Sequence, residues 1–211
     1  MSLQKHSKPR SNKKTFAREF RLQGTDGIRR EVKLSSSQEN TSLTPQEVFL
    51  ETGFITEDFM EIYAYAHIKQ LMSIGKIQTE DSVVIGWDPR DPKGNYTSAV
   101  VSGICKAGVN ALVLGVVPTP LVPMYMLYKN ACGGLMVTAS HNPRDQNGIK
   151  IFSSFKGLKL LPGNDLTLTH AVLEAEPSIL GKLTLKGKRI DSRKEALELF
   201  HNFSLAPKNT W

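Results

Sequence analysis

From residue 83 onwards, short unbroken apolar runs alternate with stretches in which apolar positions recur every three or four residues. Val83–Gly86, Ala111–Val117 and Leu135–Val137 are runs of strand length, the pattern of strands buried on both faces of a parallel sheet. Between them, Asn95–Gly108 places Val100, Val101, Ile104 and Cys105 on one helical face, with Gly108 as terminator. Pro118-Thr119-Pro120 must break the second run, and Leu121–Asn130 predicts a short helix whose Met and Tyr residues serve the core. Upstream, Thr56 is an N-cap followed by Glu57 and Asp58, and Phe59, Ile62, Tyr63 and Ala66 mark a helix reaching Gly75. Glu19–Leu22 reads as a short first strand, and residues 35–46 as a polar, low-complexity loop without chemistry. Downstream come a second short apolar run up to Phe152, a helix over Asp165–Glu176, a Lys-rich stretch Gly181–Ile190 and a last amphipathic helix, Lys194–Phe203. No internal repeat is present. Strand and helix in alternation predict an α/β fold, with ligands at the carboxyl ends of the strands, where Arg29 and Ser140 both fall.

A chain of 211 residues with 40% hydrophobic content can bury one good core. Its net charge of +7 suggests a nucleic-acid partner until the charges are located. Lys5, Lys8, Arg10, Lys13, Lys14, Arg18 and Arg21 against Glu19 place +6 of it in residues 1–21, so the basic character belongs to a leader expected to be disordered. A nucleic-acid groove is not supported. No apolar stretch suits a secretory signal or a membrane span, and the expected setting is cytoplasmic. Cys105 and Cys132 are expected to be buried, reduced thiols. His67, without a partner at i+4, is better explained as a structural histidine than as a metal ligand.

The candidate chemistry sits after Val137. Thr138-Ala139-Ser140-His141-Asn142-Pro143 forms a polar loop with Ser140 at its crest. Pro143 biases Asn142 towards an extended backbone, and Asn147-Gly148 is expected to supply a turn tolerant of positive φ. A rigid hydroxyl at a strand end suits phosphoryl transfer, which depends chiefly on positioning and electrostatics. The plain alternative is a serine in an ordinary Asn/Pro/Gly turn. A Ser-His hydrolase is disfavoured, since Ser140 and His141 are adjacent and no G-x-S-x-G elbow exists. Gly24-Thr25-Asp26-Gly27-Ile28-Arg29-Arg30 offers a second cue: its glycines let backbone N–H groups turn inward, and Arg29 presents a planar fork for phosphate. A surface turn with a solvated arginine is the alternative there. Asp88 and Arg90, in Trp87-Asp88-Pro89-Arg90, suit either a brace for the site or a structural pair.

Residues 138–143, followed by Asn147-Gly148-Ile149-Lys150, resemble the phosphoserine loop of the α-D-phosphohexomutases, especially the phosphoglucomutase/phosphomannomutase branch, and Gly24–Arg29 resembles that family's N-terminal signature. The resemblance covers roughly residues 20–205. It implies a three-layer α/β domain with a mostly parallel, mixed sheet between helices: a basic leader over 1–18, domain I over 19–185, and an exit helix and linker over 186–211 leading to a missing second domain. The implied activity is a reversible shift of a phosphoryl group between the 1 and 6 positions of a hexose through a bisphosphate. Ser140 would carry the phosphoryl group, Lys150 would be general acid/base, and His141 and Asn142 would order the loop and contact the transferring group. Gly24, Thr25, Asn142 and Arg29 would hold phosphate. A lysine, with its usual pKa of about 10.4, must be lowered to act as a base, which clustered cations favour. The family holds Mg2+ with the phosphoserine and three aspartates; here only Ser140, through its phosphate, would contribute, because the aspartate, sugar-reading and distal-phosphate loops do not occur in the chain. The chain is therefore expected to be part of a longer enzyme, inactive alone, with hexose phosphates and bisphosphates as partners. Thr138, where the phosphoglucosamine branch more often has Ser, makes that branch the second choice. A non-catalytic phosphosugar-binding or regulatory module is the alternative of a different class.

Overall fold

The computed structural model describes residues 20–24, 27–37, 42–153, 157–158, 163–182 and 184–206. Within them lie strands β1 (Ile28–Glu31), β2 (Ser82–Trp87), β3 (Asn110–Val116), β4 (Gly133–Val137), β5 (Gln146–Ser153) and β6 (Arg189–Asp191). Helices α1 (Pro45–Thr52), α2 (Glu57–Ser73), α3 (Asn95–Ala107), α4 (Leu121–Lys129), α5 (Asn164–Leu173), α6 (Ile179–Lys182) and α7 (Arg193–Leu205) accompany them. The sheet is ordered β1-β5-β4-β2-β3-β6. β4, β2, β3 and β6 are parallel, while β5 runs antiparallel to both β4 and β1. This is the mixed α/β sheet expected from the sequence.

The unbroken apolar runs are explained by burial on both faces. Val83, Ile85, Ala111, Val113, Leu135, Val137, Ile149 and Ile151 join Phe59, Tyr63, Val100 and Ile104 of α2 and α3 in one core. Their alternates Val84, Leu112, Leu114, Met136 and Phe152 join Val122 and Tyr125 of α4 and Ala196 of α7 in the other. β6 and α7, in the stretch expected as exit helix and linker, add to the sheet beside β3 and to this second core.

Four local expectations are corrected. No strand forms over residues 20–22: Leu22 is buried, but its N–H donates to Thr169 Oγ1 of α5 at 3.2 Å, and the ladder begins only at Ile28. Arg29 accordingly lies in a strand rather than a loop. The polar segment 35–46 contains a 3-10 turn, Ser35–Ser37, and the start of α1. There Thr44 accepts from Glu47 N, Glu47 accepts from Thr44 N at 2.8 Å, and Pro45 occupies the first helical position, a capping box hidden in low-complexity sequence. Asn147-Gly148 is strand, not turn. Gly148 faces Arg29 across the β1–β5 ladder, and a Cβ there would lie 1.8 Å from the Ile28 carbonyl oxygen; close strand approach is what requires glycine. Of the cysteines, Cys105 is buried, whereas Cys132 is half-buried with its thiol towards Asp81.

Candidate active site

β2 and β4 are parallel neighbours ending in register at Trp87 and Val137, so the residues that follow, Asp88 and Thr138, emerge side by side. Thr138 Oγ1 donates to Asp88 Oδ2 and accepts the Ser140 N–H at 2.8 Å. Asn142 N–H returns to the Ala139 carbonyl at 3.1 Å, and Asn142 Nδ2 donates to Gln146 Oε1 at 2.8 Å. These bonds fold residues 138–146 into a tight exposed turn above two buried strands. Ser140 takes φ 60°, in the left-handed region that costs a side chain about 1 kcal/mol.

Arg90 holds the turn in that shape. Its Nε donates to both oxygens of Asp88 at 3.1 and 2.9 Å, Nη2 to the Ser140 carbonyl at 2.7 Å, and Nη1 to the carbonyls of Gln146, Pro143 and Asn142 at 3.0, 3.2 and 3.4 Å. One planar guanidinium thus gathers four carbonyls of a loop that has no ladder of its own, and Asp88 balances its charge. The sequence marked Asp88 and Arg90 as an undecided pair, and the structure shows a brace. Thr138 and Gln146 complete it; no local signal marked Gln146.

At the crest, Lys150 Nζ, reaching from β5, donates to Ser140 Oγ at 3.4 Å. Ser140 and the exposed His141 line a cavity of about 600 Å³ with Asp88, Thr119, Thr138 and Met136, along the carboxyl ends of β2, β3 and β4. Arg29, Gly24 and Asn142 line a different cavity, of about 380 Å³, together with Arg21, Gln23 and Arg30. The turn 140–142 stands between the two. Ser140 and His141 therefore line one cavity and Arg21, Arg29 and Arg30 the other, with Asn142 as the link between them. Thr25 lies outside the described residues. Gly27, at φ 88°, sits where a Cβ would be 2.0 Å from the Ile149 carbonyl, so the N-terminal turn presses directly on the strand that carries Lys150. Arg21, Gln23 and Arg30 were not picked out from the sequence, because their place in this cavity depends on α5 and β1 packing.

For Mg2+ the donor set falls short. Among the described residues no three His, Cys, Asp or Glu side chains group as metal ligands, and Asp88 is engaged with Arg90 and Thr138. These residues do not form an octahedral oxygen site. His67 is buried in α2, and burial pushes its pKa down to about 4, the behaviour of a neutral structural imidazole.

With this geometry established, three comparisons bear on it. The model of the phosphoglucomutase/phosphomannomutase α/β/α domain I matches residues 21–176. A phosphoglucosamine mutase of Hahella chejuensis is 31% identical over 189 residues, covering 86% of this chain and 38% of the relative. That of Nocardia farcinica is 37% identical over 134 residues, covering 64% of this chain and 24% of the relative. Among solved structures, a Thermus thermophilus protein described as a phosphomannomutase shares 25% identity at a TM-score of 0.58, over 83% of this chain and 34% of that one. The Paramecium phosphoprotein pp63/parafusin, in its open form, shares the fold at a TM-score of 0.51 and 19% identity, over 74% of this chain and 26% of its own. The chain spans between 24% and 38% of the length of these relatives.

Proposed function

Since this chain belongs to the phosphoglucomutase/phosphomannomutase family and carries its α/β/α domain I, we propose that Ser140 is the phosphoryl carrier of a reversible 1,6 phosphoryl shift on hexose phosphates. The observation that carries this reading is the Lys150 Nζ–Ser140 Oγ contact at 3.4 Å at the crest of a braced strand-end turn. When phosphorylated Ser140 donates, the P–Oγ bond breaks as a bond from the sugar oxygen to phosphorus forms. The proton of the sugar hydroxyl passes to Lys150 Nζ in its amine form, and the departing Ser140 oxygen takes a proton from the resulting ammonium. His141, on the wall of the same cavity, contacts the transferring group, while Arg29 and Gly24 hold phosphate charge in the neighbouring cavity. A phosphoserine brings about −1.5 to −2 charges, which Arg29 and Lys150 offset. The activity proposed is that of a longer protein that contains this domain.

Glucose or mannose phosphate is the preferred substrate class, with glucosamine phosphate second. The Hahella and Nocardia relatives carry the phosphoglucosamine name and the Thermus neighbour the phosphomannomutase name. Mixing a longer protein that contains this domain separately with the 1,6-bisphosphates of glucose, mannose and glucosamine, and following monophosphate release by phosphorus NMR, tests both points. Faster release from glucose or mannose bisphosphate is expected. Faster release from the glucosamine compound reverses the substrate assignment, and inertness towards all three overturns the carrier role.

A further inference from the structure

We propose that Asp165, at the start of α5, is a positioning residue for the phosphate-holding cavity, fixing residues 21–23 so that Gly24, Gly27 and Arg29 form an anion site. This rests on the phosphoserine reading above. Three consecutive residues are fastened to one turn of α5: Arg21 Nη1 donates to both Asp165 carboxylate oxygens at 2.7 Å, Leu22 N–H to Thr169 Oγ1 at 3.2 Å, and Gln23 Nε2 to the Asp165 carbonyl at 2.7 Å. Thr169 Oγ1 itself donates to the same carbonyl at 2.9 Å, and Asp165 Oδ1 accepts the amides of Gly163 and Leu166, each at 2.9 Å. Leu22, Gln23, Asp165 and Thr169 are all at most 5% exposed, so the joint is internal and its polar groups tolerate few alternative arrangements. Residues 20–23 belong to no strand; this joint takes the place of a ladder. From Gln23 the chain passes to Gly24, whose carbonyl accepts the Gly27 amide at 3.1 Å, and then into β1 with Arg29. Arg21, Gln23, Gly24, Gly27 and Arg29 line one cavity.

Positioning and plain electrostatics make opposite forecasts here. Burial works against the Asp165 charge, yet Arg21 and the two amides hold its carboxyl below the usual range, so Asp165 is an anion beside an anion site. Asp165→Asn removes that negative charge and releases Arg21. If charge alone mattered, phosphate would bind more tightly. If Asp165 positions the turn, phosphate binds more weakly.

The test is a titration of inorganic phosphate into the chain, followed by NMR, with Arg29→Ala marking the site. Asp165→Asn is expected to weaken phosphate binding at least five-fold and to quicken amide exchange at Gly27. Gln23→Leu removes one limb of the joint together with Gln23 Oε1, an acceptor buried without a hydrogen-bond partner. It should therefore weaken phosphate binding while leaving the melting temperature unchanged or higher, a separation that a merely structural role does not produce. Binding that Asp165→Asn leaves unchanged or tightens overturns the proposal alone; should that variant not fold, undiminished binding in Gln23→Leu does the same. A wild-type chain that takes up no phosphate at an Arg29-dependent site overturns the phosphoserine reading and this proposal together.

Discussion

Ser140 combines the proposed carrier role with a conformational cost, and the two can be separated. At φ 60° a glycine is free of the Cβ penalty, so Ser140→Gly should be more stable than Ser140→Ala by about 1 kcal/mol in chemical denaturation, although both lack the hydroxyl. Equal stabilities would show that the left-handed backbone is not strained. Arg90 is the residue that enforces this geometry. Arg90→Ala leaves four loop carbonyls and Asp88 without their shared donor, and a loss of about 2 kcal/mol is expected, with Ser140 phosphoryl uptake falling more than ten-fold. Arg90→Lys should not restore uptake, because a point charge cannot serve the same fork. The proximity of Lys150 to Ser140 was legible because loop and apolar run are contiguous, whereas the role of Lys150 came from the family resemblance. The brace was only half legible: the neighbouring Asp88–Arg90 pair allowed it, but the loop carbonyls that Arg90 gathers lie 50 to 56 residues away.

Elements, rather than single residues, explain where the sequence misled. An Asn-Gly pair ordinarily signals a turn, but here the approach of β1 makes Gly148 a strand residue. Gly148→Ala should therefore cost more than about 2 kcal/mol in urea unfolding and also abolish phosphate binding that depends on Arg29, its ladder partner. Wild-type stability in that variant would mean that the β1–β5 spacing is looser than described. In α2, the buried His67 ties stability to pH. Its folded pKa, about 4, lies below the ordinary 6.5, so the unfolded chain binds the proton more readily. The stabilisation is complete above pH 6.5 and is lost as pH falls from there to about 4, amounting to about 3 kcal/mol from this group. Denaturation midpoints at pH 7 and 4.5 should diverge in the wild type and converge in His67→Gln. A slope that survives this substitution assigns the acid sensitivity to other groups.

For the whole molecule, the strands and helices of the central stretch were legible because burial on both sheet faces makes each strand a continuous apolar word. The strand order was not, since β1 and β5 complete the sheet by antiparallel pairings that no local pattern encodes. The same holds for α5, whose hold on residues 21–23 joins positions more than 140 residues apart. What these long-range contacts assemble is an exposed serine with Lys150 Nζ 3.4 Å from its hydroxyl and a cavity lined by Arg21, Arg29 and Arg30. The most direct measurement is to incubate a longer protein that contains this domain with glucose 1,6-bisphosphate and locate any transferred phosphoryl group by peptide mass spectrometry. A single group on Ser140, absent in Ser140→Ala and formed at least ten-fold more slowly in Lys150→Ala, is the expected result. A phosphoryl group on another residue, or none on Ser140, would contradict the account.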